Sequence, residues 1–348
     1  MSSTEQRNAP LPIGLIGCGT MGTSHATQLA KLSDLRLAAA CDADEAKARA
    51  TAESAAAAGN ADVRIYSDVA AMLADANVPA VIVATPNFTH KWIVLDALAA
   101  GKDVFCEKPM ALTVADCDEM IGTAERLGCK LMVGQVLRLM TIYATVRRLV
   151  AEGTIGSPRV IRILRTGART SGHPGAFSAP WRAKRENTGG ILFEVHVHEF
   201  DLMRSLMGDV AEVSAMVENF YHPERDYEDH VVATLRFRNG GIGVLEAGGA
   251  HAIGGSEGIV TGEKGSIAYD GSKNTVVYRL VEEGSKPVEV PVERDGGTGV
   301  QSELMSFARW VLHDEAPIVT AEDGRRAVQL AEAAYRSARE KRAIQIAT

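Results

Sequence analysis

From residue 11 to residue 134, short apolar runs alternate with longer segments in which apolar and polar side chains mix at helical spacing. The apolar runs lack strict alternation, as expected of strands that are covered on both faces. Strands and helices in this order are typical of βαβ units and a parallel sheet. The predicted strands are residues 13–16, 35–41, 64–66, 80–84, 103–106 and 130–133.

Beyond residue 134 the pattern changes to alternation from one residue to the next. Apolar and polar side chains alternate between Val231 and Phe237, and Asn239-Gly240 follows, which together predict a β-hairpin. Further short runs separated by turn residues predict a large, mostly antiparallel open sheet with one exposed face. These runs are residues 159–165, 210–217, 243–247, 258–261, 266–269 and 275–280, and helices are predicted at residues 139–152, 302–313 and 321–339.

A glycine-rich turn follows the first predicted strand directly. Gly17, Gly19 and Gly22 form the pattern G-x-G-x-x-G, with Thr20 and Met21 before the last glycine, and a helix is predicted to follow. In this strand–turn–helix context the pattern predicts that the helix N-terminus binds a dinucleotide pyrophosphate. A turn that serves only chain geometry is the alternative.

Asp42 ends the second predicted strand, 20 residues after Gly22. A carboxylate there can accept hydrogen bonds from a ribose 2′-hydroxyl and would repel a 2′-phosphate, so NAD is the predicted cofactor and NADP is less favoured. Asp42 could also cap the following helix, and the two roles are compatible. The sequence thus predicts an α/β protein with an N-terminal Rossmann dinucleotide-binding domain, residues 1–134, and a C-terminal α+β domain, residues 135–348.

Composition narrows the class of partner. The 37 Lys and Arg against 44 Asp and Glu give a net charge of −7, which disfavours nucleic acid or a membrane and favours a small-molecule substrate. No apolar run approaches the roughly 18 residues of a spanning helix, and the first ten residues do not resemble a secretory signal, so a cytoplasmic protein is expected. Five cysteines without a C-x-x-C pair indicate neither a disulfide framework nor a cysteine zinc site.

Glu107-Lys108-Pro109 follows the fifth predicted strand, at the carboxyl edge of the sheet, where ligands of open α/β folds bind. The Lys108 ammonium can donate to a substrate hydroxyl and stabilise the alkoxide that develops as hydride departs. A surface lysine paired with Glu107 is the alternative. The Lys108–Pro109 bond is a candidate for cis geometry.

A largely helical segment is predicted after Gly189-Gly190. On one helix Glu194 and His198 share a face, with Asp201 three residues further along. An imidazole held by a carboxylate suits a general base that accepts a hydroxyl proton during oxidation. His196 points elsewhere, and histidines two apart diverge on a helix, so no metal is expected here. Core histidines satisfied by local hydrogen bonds remain an alternative.

In combination these motifs resemble the Gfo/Idh/MocA oxidoreductases, the family of glucose–fructose oxidoreductase and inositol dehydrogenase. The resemblance covers nearly the whole chain, and its most specific element is Glu107-Lys108-Pro109. It implies that Lys108 is the catalytic lysine and His198 the acid/base histidine. Further motifs that carry it are Thr85-Pro86-Asn87 with His90, residues 133–138, Trp181-Arg182, Glu228-Asp229 and residues 262–265.

The resemblance also implies roles for residues around these groups. Glu194 stands where many members have Asp and would orient His198 or bind a substrate hydroxyl, and His196 replaces a small residue and would narrow the pocket. Subunit contacts through the large sheet would give a homodimer or homotetramer. The implied cofactor residues are Thr85, Pro86, Asn87, His90 and Glu107, and the implied substrate residues are Arg138, Trp181 and Arg182. Arg138 could instead serve a structural ion pair, and Trp181 could lie in the core.

The predicted function is an NAD-dependent oxidoreductase that moves hydride between nicotinamide and a secondary CH–OH of a sugar, cyclitol or related polyol. Two other functions stay open. One is NAD-assisted glycoside hydrolysis, in which hydride leaves and returns within one cycle. The other is a non-catalytic protein of the same fold that senses sugar or cofactor. Residues 166–180 are expected to form a loop that contributes to the pocket.

Overall fold

The computed structural model describes residues 10–60, 62–168, 179–292 and 299–347. The chain forms two compact units, of which the first comprises residues 1–136 and 297–325 and the second residues 137–296 and 326–348. The boundary predicted after residue 134 lies two residues before the point, after Val136, where the chain passes from the first unit to the second. It differs from the structure in assigning residues 297–325 to the second domain. Most of the expected pocket loop, residues 169–178, lies outside the described residues.

The first unit is built on a six-stranded parallel sheet, as predicted. Its order, β3-β2-β1-β4-β5-β6, reverses the direction of winding between β1 and β4, which creates the crevice where such folds bind nucleotides. All six predicted strands are present, and their ends differ from prediction by two residues at most. The strands are β1 (Leu11–Ile16), β2 (Leu35–Cys41), β3 (Arg64–Tyr66), β4 (Ala80–Val83), β5 (Asp103–Glu107) and β6 (Leu131–Gly134).

Helices that connect these strands begin and end at residues suited to those positions. The Thr113 hydroxyl accepts a hydrogen bond from the Asp116 N–H at 3.1 Å and caps one helix, which ends at Gly128 with φ +68°. The helices cover the faces of the sheet with their apolar sides, so all the strands except the short edge strand β3 are almost wholly buried. The helices are α1 (Thr20–Leu29), α2 (Glu45–Ala57), α3 (Val69–Leu73), α4 (His90–Ala99) and α5 (Val114–Leu127).

The second unit contains a nine-stranded, mostly antiparallel sheet, and this too was predicted. Its order is β14-β13-β12-β11-β7-β10-β9-β8-β15, and β7 with β10 is its one parallel pair among the described strands. The short edge strands β14 and β15 were not predicted. The strands are β7 (Pro158–Ala168), β8 (Val210–Glu218), β9 (His230–Phe237), β10 (Ile242–His251), β11 (Gly255–Gly262), β12 (Gly265–Asp270), β13 (Thr275–Leu280), β14 (Val288–Val290) and β15 (Ile344–Gln345).

Alternation along β9 separates an inner face of this sheet from an outer one. Val231, Ala233 and Leu235 are buried, whereas Val232 and Thr234 are exposed. The predicted hairpin joins β9 to β10, and Gly240 in its turn has φ +84°. One face of the sheet therefore packs against helices, while the other is left open.

The prediction of a single helix after Gly189-Gly190 was wrong, because the segment forms two helices. The His196 N–H bonds to the Ile191 carbonyl, five residues back, and this wider turn ends the first helix. The second starts directly afterwards, with the His196 ring bonded to Glu199. The helices of this unit are α6 (Thr141–Ala151), α7 (Arg185–Thr188), α8 (Ile191–Glu194) and α9 (Val197–Met207).

Two helices follow the second sheet in sequence. α10 (Gly299–His313) belongs to the first unit, where Phe307 contacts Phe105 edge to face with ring centroids 5.9 Å apart. α11 (Ala321–Glu340) has its first turn in the first unit and the remainder in the second. Within the described residues, none of the helices combines the length and apolar composition needed to span a membrane.

Candidate active site

The glycine-rich turn joins β1 to α1 with the geometry that a bound phosphate requires. Gly17 has φ +93°, and a Cβ on Gly22 would overlap the Gly17 carbonyl oxygen, so packing demands glycine at both positions. Gly19 differs, because a Cβ there would meet no atom within 4 Å. Gly19 begins α1 without a side-chain cap, so the first N–H groups of the helix face this open space. The turn therefore fits a dinucleotide pyrophosphate.

Asp42 is held against this turn by two hydrogen bonds. Its carboxylate accepts the Cys18 N–H at 2.8 Å and the Asp44 N–H at 2.9 Å. Burial raises the pKa of Cys18 to about 11, so this thiol is uncharged at neutral pH and the carboxylate supplies the negative charge of the turn. The capping alternative for Asp42 is wrong, because Asp44 caps α2 by accepting the Ala46 N–H at 3.1 Å.

Thr85, Pro86 and Asn87 follow β4 and lead through a short 3₁₀ turn into α4. His90 at the start of α4 is fully buried, and its ring nitrogens lie 2.9 Å from the Thr85 carbonyl oxygen and 2.8 Å from that of Pro109. Burial lowers the pKa of His90, although the two carbonyls act in the opposite direction. His90 thus connects the Thr85 turn to the segment that carries the candidate lysine.

Lys108 lies directly after β5, half-buried, in a segment fixed by its neighbours. The Lys108–Pro109 peptide bond, which the sequence marked as a candidate for cis geometry, is cis. Glu107 is buried, and its carboxylate accepts the Lys108 N–H at 3.1 Å while its other oxygen lies 2.7 Å from the His25 Nε2. The Glu107 carboxylate therefore fixes the backbone at Lys108.

Two residues that sequence reasoning missed complete the surroundings of Glu107. His25 on α1 and Glu303 on α10 are both buried, and one ligand-type atom of each lies within 4.8 Å of the Glu107 carboxylate. Burial and the nearby Glu107 carboxylate raise the pKa of Glu303 well above its usual value, which favours the protonated carboxyl. The sequence did contain a signal for both residues, since each is an ionisable side chain on the otherwise apolar face of its helix.

In the second unit, the candidate acid/base histidine lies in the first turn of α9. His198 and Glu194 are both buried, but they belong to different helices, so the predicted shared helical face is wrong. Glu194 ends α8, where its Oε1 lies 3.4 Å from the Arg182 Nε. The break between the helices sets the position of His198 relative to Glu194.

His196 lies in the break between α8 and α9, and its ring contacts Glu199 near the nine-stranded sheet. Its Nδ1 lies 3.1 Å from the Glu199 Oε2, and Glu199 also pairs with Arg165 on β7. Burial acts against ionisation of Glu199, but Arg165 and His196 outweigh it and hold the pKa of Glu199 well below its usual range. The imidazole of His196 is thereby fixed at the start of α9, two residues before His198.

Arg138 and Asp201 form a bidentate pair with N···O distances of 2.7 and 2.6 Å, and both side chains are buried. This is the structural ion pair that the sequence left open for Arg138. Asp201 is consequently committed to Arg138 and secures α9 to the segment before α6.

Trp181 and Arg182 lie in the 3₁₀ turn Pro180–Ala183, and both are half-buried. The Arg182 guanidinium lies over the Trp181 ring, 5.0 Å from its centroid, and beside Glu194. The Tyr227 hydroxyl donates to the Arg182 carbonyl at 2.8 Å and fixes this turn. A half-exposed aromatic ring beside charged hydrogen-bonding groups is suited to a polar, hydroxylated ligand.

Comparisons with known proteins agree over most of the chain. Residues 11–135 match the family model of an oxidoreductase family with an NAD-binding Rossmann fold, and residues 143–268 match the GFO/IDH/MocA C-terminal domain. Myo-inositol 2-dehydrogenase of Thermotoga maritima is 33% identical over 343 residues, which cover 96% of this chain and 98% of that protein.

Two further similar proteins carry different descriptions, one a probable dehydrogenase and the other a hydratase. The crystal structure of a probable dehydrogenase from Thermotoga maritima superposes with a TM-score of 0.80 at 31% identity, covering 96% of this chain and 98% of that one. A 2,7-anhydro-N-acetylneuraminate hydratase of Mediterraneibacter gnavus is 28% identical over 323 residues, covering 82% of this chain and 85% of the relative.

Proposed function

The chain belongs to the Gfo/Idh/MocA oxidoreductases and is an NAD-binding enzyme of that family, and from this premise we propose that it oxidises a secondary CH–OH of a cyclitol, sugar or related polyol. The observation that carries the proposal is the 33% identity, over nearly the full length of both chains, to a myo-inositol 2-dehydrogenase. The polar cluster of Arg182, Glu194 and Trp181 supports a hydroxylated substrate.

The first unit supplies the cofactor site in this proposal. The free N–H groups at the start of α1 bind the pyrophosphate, and the Asp42 carboxylate accepts hydrogen bonds from the ribose. Thr85, Pro86 and Asn87 border the nicotinamide side, with His90 and Glu107 holding their segments in place. When bound, NAD supplies the hydride acceptor of the reaction.

Proton transfer and charge stabilisation fall to two side chains. The Lys108 Nζ donates to the carbinol oxygen and stabilises the alkoxide. The His198 imidazole takes the hydroxyl proton in oxidation and returns it in reduction. Glu194, paired with Arg182, orients the substrate hydroxyl or His198, and His196 narrows the pocket on the side of the sheet.

A substrate screen tests this function. The purified chain is incubated with myo-inositol, other cyclitols and aldoses, each with NAD or NADP, and the absorbance of the reduced nicotinamide is recorded. We expect reduction of NAD with at least one cyclitol or sugar and slower reduction of NADP. Reactions without polyol serve as controls. Absence of turnover with all polyols and both nicotinamides would contradict the proposal.

A second candidate function is supported by the hydratase relative from Mediterraneibacter gnavus. In this alternative, hydride leaves the sugar and returns to it in one cycle, so the net change is addition of water or cleavage of a glycosidic bond. Product analysis by mass spectrometry separates the two. Product formed in excess of NAD without accumulation of NADH would favour the alternative, and stoichiometric NADH would favour the dehydrogenase.

We further propose that a second copy of this chain covers the outer face of the nine-stranded sheet, which gives a homodimer or homotetramer. On this face Met216 is 80% exposed, and Val160 and Ile242 are also exposed. Apolar side chains exposed on one sheet face favour association. Light scattering after size exclusion should give the mass of two or four chains, and the mass of a single chain would contradict this expectation.

A further inference from the structure

Three side chains of metal-binding type converge on the outer face of the nine-stranded sheet. His230 begins β9, while Glu246 and His251 lie on β10. One ligand atom of each lies within 4.8 Å of those of the other two. In the single chain the side chains are 17%, 42% and 32% exposed, respectively, so an ion can reach them before any second copy covers this face.

Strand pairing explains why the three meet. His230 lies opposite Gly248, where a Cβ would overlap the Asp229 carbonyl oxygen, so no side chain fills the space facing His230. Glu246 borders this space on one side. Between Gly248 and His251 the pairing of β10 with β7 gains one residue, and this bulge turns His251 to the same face as Glu246. The fold thus aims three ligands into one gap.

The two histidine–glutamate distances in the gap are longer than hydrogen bonds and close to the spacing of ligand atoms on one metal ion. The Nε2 atoms of His251 and His230 lie 3.4 and 3.8 Å from the same Glu246 oxygen. An N–H···O hydrogen bond would bring each pair to about 2.7–3.2 Å. Ligand atoms bound at about 2.0–2.2 Å to one tetrahedral zinc ion stand roughly 3.4 Å apart.

His230 is also available as a ligand. Its buried Nδ1 has no hydrogen-bond partner among the described residues. Hydrogen bonding therefore does not account for a histidine at this position, as it would for an ordinary core histidine.

We propose that His230, Glu246 and His251 form a binding site for a divalent transition-metal ion, with zinc the ion that suits it best. Two imidazoles and one carboxylate are a common three-ligand set for zinc, and they leave a fourth position for water or another ligand. Bound zinc would join the start of β9 to the end of β10. The second His–carboxylate cluster, around Glu107, is a different case, because its 2.7 Å His25–Glu107 separation is that of a direct hydrogen bond.

Zinc binding to the full-length chain tests this proposal. The metal-free protein is titrated with Zn²⁺ against a chromophoric chelator, and Co²⁺ is added in a parallel experiment. We expect one tight zinc site per chain and, with cobalt, the intense visible bands of four-coordinate Co²⁺. Absence of saturable zinc binding in the wild-type chain would overturn the proposal.

Variants decide whether these residues hold the ion. His230→Ala and His251→Ala should each weaken zinc binding by at least about 100-fold, since loss of a ligand exceeds the 10–100-fold effect of outer-shell partners. His313→Ala, an exposed histidine of the first unit, is the matched control and should bind as wild type does. His251→Ala lies at a strand end, so unchanged NAD binding and melting temperature will show that it folds. Wild-type zinc affinity in folded His251→Ala would place the ion elsewhere and refute the site.

Discussion

The two units position their candidate catalytic side chains by different means. Lys108 in the first unit directly follows β5, and its N–H is bound by the adjacent Glu107. His198 in the second unit follows a helix break, and its helix is secured by the Arg138–Asp201 pair, which joins residues 63 positions apart. A catalytic group held by its own strand tolerates distant changes, whereas one held by long-range contacts depends on them.

Replacing Lys108 should have the largest effect and should affect chemistry alone. We expect Lys108→Met to lower kcat by about 10²–10³-fold, because a donor that stabilises the developing alkoxide is lost. NAD affinity and melting temperature should stay near wild type, since the segment is held by its backbone. Steady-state kinetics, cofactor titration and thermal unfolding provide the measurements. Lys31→Met, on the exposed surface of the same unit, is the control, and retained turnover in Lys108→Met would contradict the assignment.

Asp201→Asn should have the opposite profile, with loss of stability as its first effect. Removing the negative charge of Asp201 leaves the buried Arg138 guanidinium without this opposite charge, which costs about 3–5 kcal/mol. We expect a lower melting temperature and a loss of turnover that follows unfolding of the second unit. Asp270→Asn breaks an exposed pair with Lys273 in the same unit and should change stability far less. Equal melting temperatures for the two variants would show that the buried pair does not secure α9.

Glu303→Gln tests how the buried cluster of His25, Glu107 and Glu303 makes the stability of the protein depend on pH. The pKa of Glu303 is raised above its usual 4.5, so the protonated carboxyl contributes stability that is fully present below pH 4.5 and is lost as pH rises through the folded-state pKa. Each pH unit in that window costs about 1.4 kcal/mol, because the unfolded chain releases the proton more readily. Gln does not ionise, so the variant should gain in melting temperature over wild type as the pH rises above about 5.

The matched control for this pH series is Glu315→Gln, an exposed residue of the same unit. Its melting temperature should follow the wild-type pH dependence throughout. Parallel curves for Glu303→Gln and wild type would mean that Glu303 is ionised in the folded protein. His25 and Glu107 face Glu303 in this cluster and are present in all three proteins compared.

Asp42→Ala should have the smallest effect and should concern cofactor choice. We expect NAD to bind about 10-fold more weakly, since a hydrogen bond to a charged group is lost, while NADP affinity changes less. Fluorescence titration of both nicotinamides provides the measurement. Asp44→Ala removes the cap of α2 and should leave the preference for NAD unchanged. An identical preference in Asp42→Ala and wild type would remove the ribose role.

Much of the fold could be predicted, because its signals are local. All six strands of the first sheet and the main strands of the second follow from apolar runs, alternation and turn residues. The phosphate-binding turn follows from glycine spacing after a strand. The helix after Gly189-Gly190 was mispredicted, since its break depends on an N–H bond to the Ile191 carbonyl and on the contact of His196 with Glu199.

The candidate site was predictable only in part. Lys108 could be proposed as a candidate because strand ends of parallel sheets bind ligands. The partners of the site residues were not, because each comes from a distant part of the chain. Glu303 reaches Glu107 only because α10 returns to the first unit, and Arg165 reaches Glu199 only because β7 packs against α9. The three candidate metal ligands meet across two strands, without the spacing of any zinc motif.

The sequence by itself determined the two sheets, the glycine-rich turn after the first strand and the residue types that can transfer a proton, because periodicity, glycine spacing and position after a strand are properties of neighbouring residues. Tertiary structure alone decided which carboxylates pair, which stay protonated and where histidines converge. Pairing and protonation depend on burial and on distances between side chains far apart in the chain. A bulge of one residue or a single broken turn, invisible in the pattern, sets those distances.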